Sequence, residues 1–258
     1  MTRAVALITS GGGVTAVGPV RQINQDRFVC EDALGLYAVF DGVGGHKAGE
    51  IAAQLALEAV VGYISRSATD ADDSTWPLGW DPRMSTTSNR LRTAIALANQ
   101  RVHLAAQANA ELEGMATTIA AVLVAGGVIS LAHVGDSRIY RIDPGPARQL
   151  TDDDAATVDR LDESGELVGT RRALTRALGV DREVESSVAE MPATQSWRLL
   201  ISSDGLHGVV GVEQLESAHF AGPYEDACRR LIDVAVMAGT RDNITAVIVD
   251  IGERQDQS

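Results

Sequence analysis

Four aspartates share one local context in this chain of 258 residues. Asp41 ends an apolar run in LYAVFDGVGG, Asp136 ends another in VISLAHVGDSR, and Asp204 a third in WRLLISSDGL. Asp242 stands just before a fourth run, in RDNITAVIV, and GPVRQINQDRF places Arg21 and Asp26 ahead of the first clear one. A lone Asp-Gly pair is ordinarily a turn. The repeated pattern carries more, because the ends of antiparallel strands gather at one rim and would bring the carboxylates together. Carboxylates so placed raise each other's pKa and oppose folding unless cations neutralise them. Mg²⁺ and Mn²⁺ take carboxylate, carbonyl and water oxygens, and Gly42 lets a backbone carbonyl approach an ion with no side chain in the way. Zinc is disfavoured, since no Cys/His pattern has the usual ligand spacing. Arg21 adds a guanidinium that can fork onto phosphate oxygens. The combination points to phosphoester hydrolysis, in which two ions about 3.5–4 Å apart bridge a water, lower its pKa toward ~7 and aim the hydroxide at phosphorus.

The elements that must position these groups follow from periodicity. Residues 26–41 read as two strands joined at 33–35. Residues 116–124, 128–134 and 138–142 read as three more, and the Gly126-Gly127 break marks a hairpin, so the pairing should be antiparallel. Ile51, Leu55 and Ala59 share one helical face. Leu91, Ile95, Ala98, Val102 and Ala105 share another, after the capping-rich residues 85–88. The polar connection 66–84 carries Trp76 and Trp80, expected to cover helix ends. A helix is expected near 152–164, strands near 183–190 and 197–202, a helix near 224–238 with Cys228, Leu231, Ala235 and Ala238 on its buried face, and a last strand over 243–251. Thr117-Thr118 reads as a strand-packing pair. The glycine-rich stretch 11–18 opens no helical pattern, which argues against a dinucleotide loop. Hairpins with paired helices between them predict an α+β layered fold, not βαβ units.

Composition bounds the partners. The net charge is −13 with no basic stripe, which disfavours nucleic acid and anionic membranes. No apolar run approaches membrane-spanning length, and the five-residue run near the start is short for a signal peptide, so a cytoplasmic protein is expected. Cys30 and Cys228 form no spaced motif and read as reduced, buried thiols.

The stretches GPVRQINQD (18–26), FDGVGGHKAGE (40–50), GMATTIAAVLV (114–124), AHVGDSRIYR (132–141), QLTDDD (149–154), LTRALG (174–179), LLISSDGL (199–206) and RDNITAVIV (241–249) occur in this order over nearly the whole chain. Together they resemble the bacterial metal-dependent serine/threonine protein phosphatases of type 2C, the PPM family. The resemblance implies a central β-sandwich of two mainly antiparallel sheets flanked by helices on both sides. It implies a single catalytic domain over 1–252, with a substrate-selecting flap at about 151–180; the terminal residues 253–258 are expected to be a disordered tail. Asp41 then resembles the bridging ligand of two Mn²⁺ or Mg²⁺ ions, Gly42 the backbone-carbonyl ligand, and Asp204 and Asp242 the further ligands of the first ion. Asp136 resembles a ligand of a weaker third ion, and Arg21 the phosphate-binding arginine. His46 is a candidate general acid, with a structural helix-start histidine as the alternative. Three positions depart from the family pattern: Ala16 stands where members often have Asp, Gln25 where many have Glu though Gln occurs there too, and Asp154 where His is usual. The expected partners are phosphorylated proteins, with a cognate serine/threonine kinase and its substrates, and a monomer is expected. The alternative is a pseudophosphatase that only binds phosphoproteins.

Overall fold

The computed structural model describes residues 7–45, 47–69, 76–77, 79–142, 146–161, 166–215 and 217–253. In chain order its elements are β1 (Leu7–Ala16), β2 (Arg27–Glu31), β3 (Leu36–Phe40), β4 (Gly42–Val43), α1 (Ala48–Thr69), α2 (Thr86–Ala108), β5 (Ala116–Thr117), β6 (Ile119–Ala125), β7 (Val128–Val134) and β8 (Arg138–Arg141). There follow β9 (Arg148–Gln149), β10 (Ala155–Leu161), β11 (Leu167–Leu174), β12 (Ser187–Pro192), β13 (Trp197–Ser202), α3 (Asp204–His207), α4 (Tyr224–Met237) and β14 (Ile244–Glu253). Two five-stranded sheets carry the fold, ordered β1-β14-β13-β8-β9 and β12-β7-β6-β3-β2, with every pairing antiparallel.

The strands read as unbroken apolar runs because both of their faces are covered. Alternate residues of a strand point to opposite faces. In β3, Leu36, Ala38 and Phe40 pack with α1 and α2, while Tyr37 and Val39 face the other sheet. In β14, Ala246 and Ile248 pack with α4, while Val247, Val249 and Ile251 fill the space between the sheets. The result is the helix–sheet–sheet–helix sandwich that the resemblance implies. The α2 start follows the sequence too, since the Ser85 hydroxyl caps it by accepting from the Ser88 N–H at 3.2 Å. The Trp76 and Trp80 rings lie against each other, 4.8 Å apart, so at least part of their apolar surface is used within the loop.

Three elements differ from expectation. No strand was anticipated at β1, where three consecutive glycines argue against one. The structure supplies the reason: a Cβ on Gly11 would lie 2.7 Å from the Tyr37 ring, and one on Gly13 would lie 2.8 Å from the Phe28 ring. The glycines let those rings pack flat against the strand. The helix expected near 152–164 is a correction: residues 155–161 form β10, paired with β11 in a hairpin. Two of the three aspartates ahead of it, Asp153 and Asp154, are spent on tertiary contacts, not on a helix N-terminus. Arg138 forks onto Asp153 with two 2.8 Å bonds, Arg172 of β11 joins the same carboxylate, and Asp154 accepts from Arg176 at 2.5 Å. The strand expected at 183–190 lies a few residues later, as β12. Of the tail, Glu253 ends β14, and 254–258 lie outside the described residues.

Asp153 thus fastens the β10–β11 hairpin to β8. We predict that Asp153→Ala leaves the Arg138 guanidinium half-buried and unpaired, at a cost of about 1–3 kcal/mol. Limited proteolysis followed by mass spectrometry should show the first cleavages moving into 155–174. An unchanged cleavage map would contradict the latch.

Candidate functional site

Register alone brings the singled-out carboxylates to one rim. Arg27 at the start of β2 pairs with Phe40 at the end of β3, so Asp26 and Asp41 are neighbours. Ser202 at the end of β13 pairs with Ala246 near the start of β14, so Asp204 and Asp242 share the same end of the other sheet. Arg138 at the start of β8 pairs with Ser202, which adds Asp136.

Short hydroxyl and amide side chains lock these ends together. The Asp41 N–H donates to Thr118 Oγ1 at 3.1 Å, its carbonyl accepts from the Thr118 N–H and the Thr117 hydroxyl at 2.8 and 2.9 Å, and Thr118 Oγ1 bonds Ser137 Oγ at 2.7 Å. Thr117 and Thr118 are therefore more than a packing pair. They fix the Asp41 backbone and tie it to the Asp136 loop. Asp26 is buried, and its Oδ2 accepts from the Ser203 and Thr245 hydroxyls at 2.8 and 2.6 Å, which cross-links the segments that carry Asp204 and Asp242. Asn243 joins the third segment: its Oδ1 accepts from the Gln25 N–H at 2.9 Å, and its Nδ2 donates to the Val17 and Ile23 carbonyls.

Gly42 is required by packing. A Cβ there would fall 2.2 Å from the Gly49 carbonyl oxygen and 2.7 Å from that of Gln25. The departures from the family pattern also find their places. Ala16 ends β1 opposite Ile244 and packs against the α4 core. The Gln25 amide donates to the Gly44 carbonyl at 3.5 Å. Asp154 accepts from the Gly135 N–H and from Arg176, bracing the Asp136 loop against the segment after β11. His46 lies outside the described residues. Of the other histidines, His103 bonds the Gly179 carbonyl, His133 the Asp152 carbonyl and His207 the Ser202 hydroxyl, all structural contacts.

The electrostatics follow from crowding. Burial pushes the Asp41 carboxyl well above the usual range, and the nearby charges of Asp26, Asp204, Asp242 and Asp136 push it further. Asp26 and Asp204 are each raised to about 6, first by burial and then by neighbouring aspartates; for Asp26 the Thr245 and Ser203 hydroxyls offset part of the rise. Asp136 is raised to about 6 by burial, Asp204 and Asp153, with Arg172, 3.9 Å away, offsetting part. Arg21 pairs with Asp242 at 2.6 Å and is the counter-charge on that side. Among the described residues no three His, Cys, Asp or Glu side chains already close around one point as a metal cage. The donor set nevertheless fits a hard divalent cation. It consists of oxygens, its carboxylates repel one another, and the buried Asp26 Oδ1 accepts no hydrogen bond from an N–H or hydroxyl among the described residues. Asp26, Thr118, Ser137 and Ser203 belong to this network. Ser203 and Thr245 flank the singled-out aspartates in sequence, which was the available signal.

Comparison with known proteins gives the family. The profile of the family described as "Protein phosphatase 2C" matches residues 20–243. The serine/threonine protein phosphatase PstP of Mycobacterium tuberculosis is 32% identical over 241 residues, covering 91% of this chain and 43% of that protein. This chain thus spans less than half of that relative's length. The serine/threonine phosphatase Stp of Listeria monocytogenes is 32% identical over 244 residues, covering 90% of this chain and 92% of that one. The crystal structure of the PstP catalytic domain in complex with two manganese ions superposes with a TM-score of 0.74 at 29% identity, covering 96% of this chain and all of that one. The profile match and the matching sandwich lead to one conclusion: the chain belongs to the protein phosphatase 2C family of bacterial serine/threonine phosphatases.

Proposed function

We propose that the chain hydrolyses phosphoserine and phosphothreonine in proteins, using Mn²⁺ or Mg²⁺ held at the aspartate rim. The observation that carries this reading is the crowding of Asp41 by Asp26, Asp136, Asp204 and Asp242 beside Arg21. A binding-only pseudophosphatase would have no use for so costly a cluster.

Asp41, Asp204, Asp242 and the Gly42 carbonyl would hold two ions, and Asp136 with Asp204 a weaker third. Bound there, the ions would supply an acidified water as nucleophile and Lewis-acid neutralisation of the phosphate. Thr117 and Thr118 keep Asp41 in one orientation, and Asp26, anchored by Ser203 and Thr245, keeps the two sheet ends in register. Arg21 swings from Asp242 onto the phosphate oxygens, where its fork orients the ester. The expected substrates are the targets of a serine/threonine kinase. The direct test is release of phosphate from a phosphoserine peptide with Mn²⁺ and with chelator; turnover unaffected by chelator would overturn the reading.

The raised carboxylates give a prediction of definite sign. A carboxyl whose folded pKa is about 6 against 3.8 unfolded takes up a proton on folding between those values, so apoprotein stability falls as pH rises through that window and stays low above it. Asp204→Asn removes this penalty. It should stabilise the metal-free protein by about 1–3 kcal/mol at pH 7.5 and by nothing near pH 4, while abolishing turnover. Thermal unfolding in chelator at the two pH values checks this; destabilisation at both would show a structural Asp204.

Gln25 gives another. Its side chain lies against Gly44 and Gly49, beside Gly42, and offers only a neutral amide where relatives with Glu offer a full charge. We predict that Gln25→Glu lowers the Mn²⁺ concentration for half-maximal activity, because more charged ligands bind hard cations more tightly. Superimposable titrations of variant and wild type would put residue 25 outside the metal's reach.

A further inference from the structure

Beside the aspartate rim, the first turns of α1 line a pocket of about 300 Å³ whose walls are Arg27, Lys47, Glu50, Ile51, Gln54 and Leu55. The same turn of chain reaches the site through Gly49. That residue's carbonyl abuts Gly42 so closely that no Cβ fits between them, and Lys47 and Glu50 flank it in the same turn. Arg27 follows Asp26 directly and donates to its carbonyl at 2.7 Å.

The charges in the pocket are unevenly used. Arg27 is already engaged: it also donates to the Asn24 carbonyl, to Gln54 at 3.2 Å and to Glu50 at 2.7 Å, and its ion pair neutralises Glu50. The exposed Lys47 ammonium has no ion pair or hydrogen bond among the described residues. The pocket therefore offers one unspent positive charge over an aliphatic wall of Ile51 and Leu55, in a chain whose net charge is −13. A ligand complementary to it has an aliphatic stem and an anionic tip.

We propose that this pocket is a substrate subsite for a glutamate side chain flanking the phosphoresidue, and that Lys47 selects it; the inference rests on the phosphatase reading above. The turn that carries Lys47 packs on Gly42 through Gly49, so a residue near the phosphoserine in an extended peptide is the one to meet Lys47, and scanning each flanking position finds it. The contact is remote from the reacting bond and binds ground and transition states alike, so the selectivity lies in KM.

The test uses phosphoserine peptides identical except for Glu, Ala or Lys at each of the flanking positions, with para-nitrophenyl phosphate as a substrate that has no flanking residues. With wild-type protein and Mn²⁺, Glu should exceed Lys at one position by about three- to tenfold in kcat/KM, the range of an exposed ion pair exchanged for a repulsion. Lys47→Glu should reverse that order, and Lys47→Met, which keeps the stem and serves should the first variant not fold, should flatten it. If wild type hydrolyses para-nitrophenyl phosphate but ranks the peptides without regard to charge, or if the ranking survives both substitutions, the subsite is overturned alone. If wild type hydrolyses neither kind of substrate, the phosphatase reading falls and the subsite with it.

Discussion

The structure is organised around a repulsion. Antiparallel register in two facing sheets delivers Asp26, Asp41, Asp136, Asp204 and Asp242 to one rim, where burial and mutual proximity hold carboxyls at pKa values near or above 6. A group raised this way opposes folding at neutral pH. The neighbouring side chains are those needed to hold the rim closed against it. Ser203 and Thr245 donate to Asp26, Thr117 and Thr118 clasp the Asp41 backbone, Asn243 links the strand ends to the segment carrying Gln25, and Arg21 faces Asp242. Short hydroxyl side chains suit the task, since they lose little rotamer freedom on ordering.

The rest of the fold supplies the rigidity that such a rim requires. Strands apolar on both faces are gripped on one side by helices and on the other by the facing sheet, so their ends have little freedom to splay. Glycines serve at the points of closest approach: Gly42 against Gly49, and Gly11 and Gly13 beneath the Tyr37 and Phe28 rings. The two cysteines take no part. Both are free, and burial pushes each thiol up to about 12. The β10–β11 hairpin is attached differently, by arginine–aspartate pairs at Asp153 and Asp154, so the segment expected to meet the substrate is held by polar contacts and not by core packing.

Much of this was legible in the residues. The repeated Asp at strand ends, the hairpin glycines and the helical face of α2 carry local signals that survive without a structure; on α4 the face holds for Cys228, Leu231 and Ala235, while Ala238 is exposed just past the helix end, and on α1 Ile51, Leu55 and Ala59 are only half-buried beside the true core face of Ala52, Ala53, Ala56 and Val60. What was not legible depends on distant partners. β1 looks unlike a strand until the aromatic rings that lie on its glycines are known. Residues 152–164 have helix-compatible composition, and it is the pairing of 155–161 with β11, together with the contacts of Asp153 and Asp154 with Arg138, Arg172 and Arg176, that makes 155–161 extended; 162–164 lie outside the described residues. Gly42 was read as a gap for a ligand, and its closer constraint is the Gly49 carbonyl. Asp26 stood in a singled-out motif without a role, because the hydroxyls that hold it come from residues 203 and 245.

The central claim is that crowding raises these carboxyls so that below about pH 6 they hold protons that divalent cations displace. Calorimetric titration of Mn²⁺ into the protein at pH 5.5, repeated in buffers of different ionisation enthalpy, counts both ions bound and protons released. The account predicts at least two ions per chain with net proton release, since Asp26, Asp136 and Asp204 titrate at about 6 before the metal arrives. Binding without proton release, or no binding at all, would contradict it.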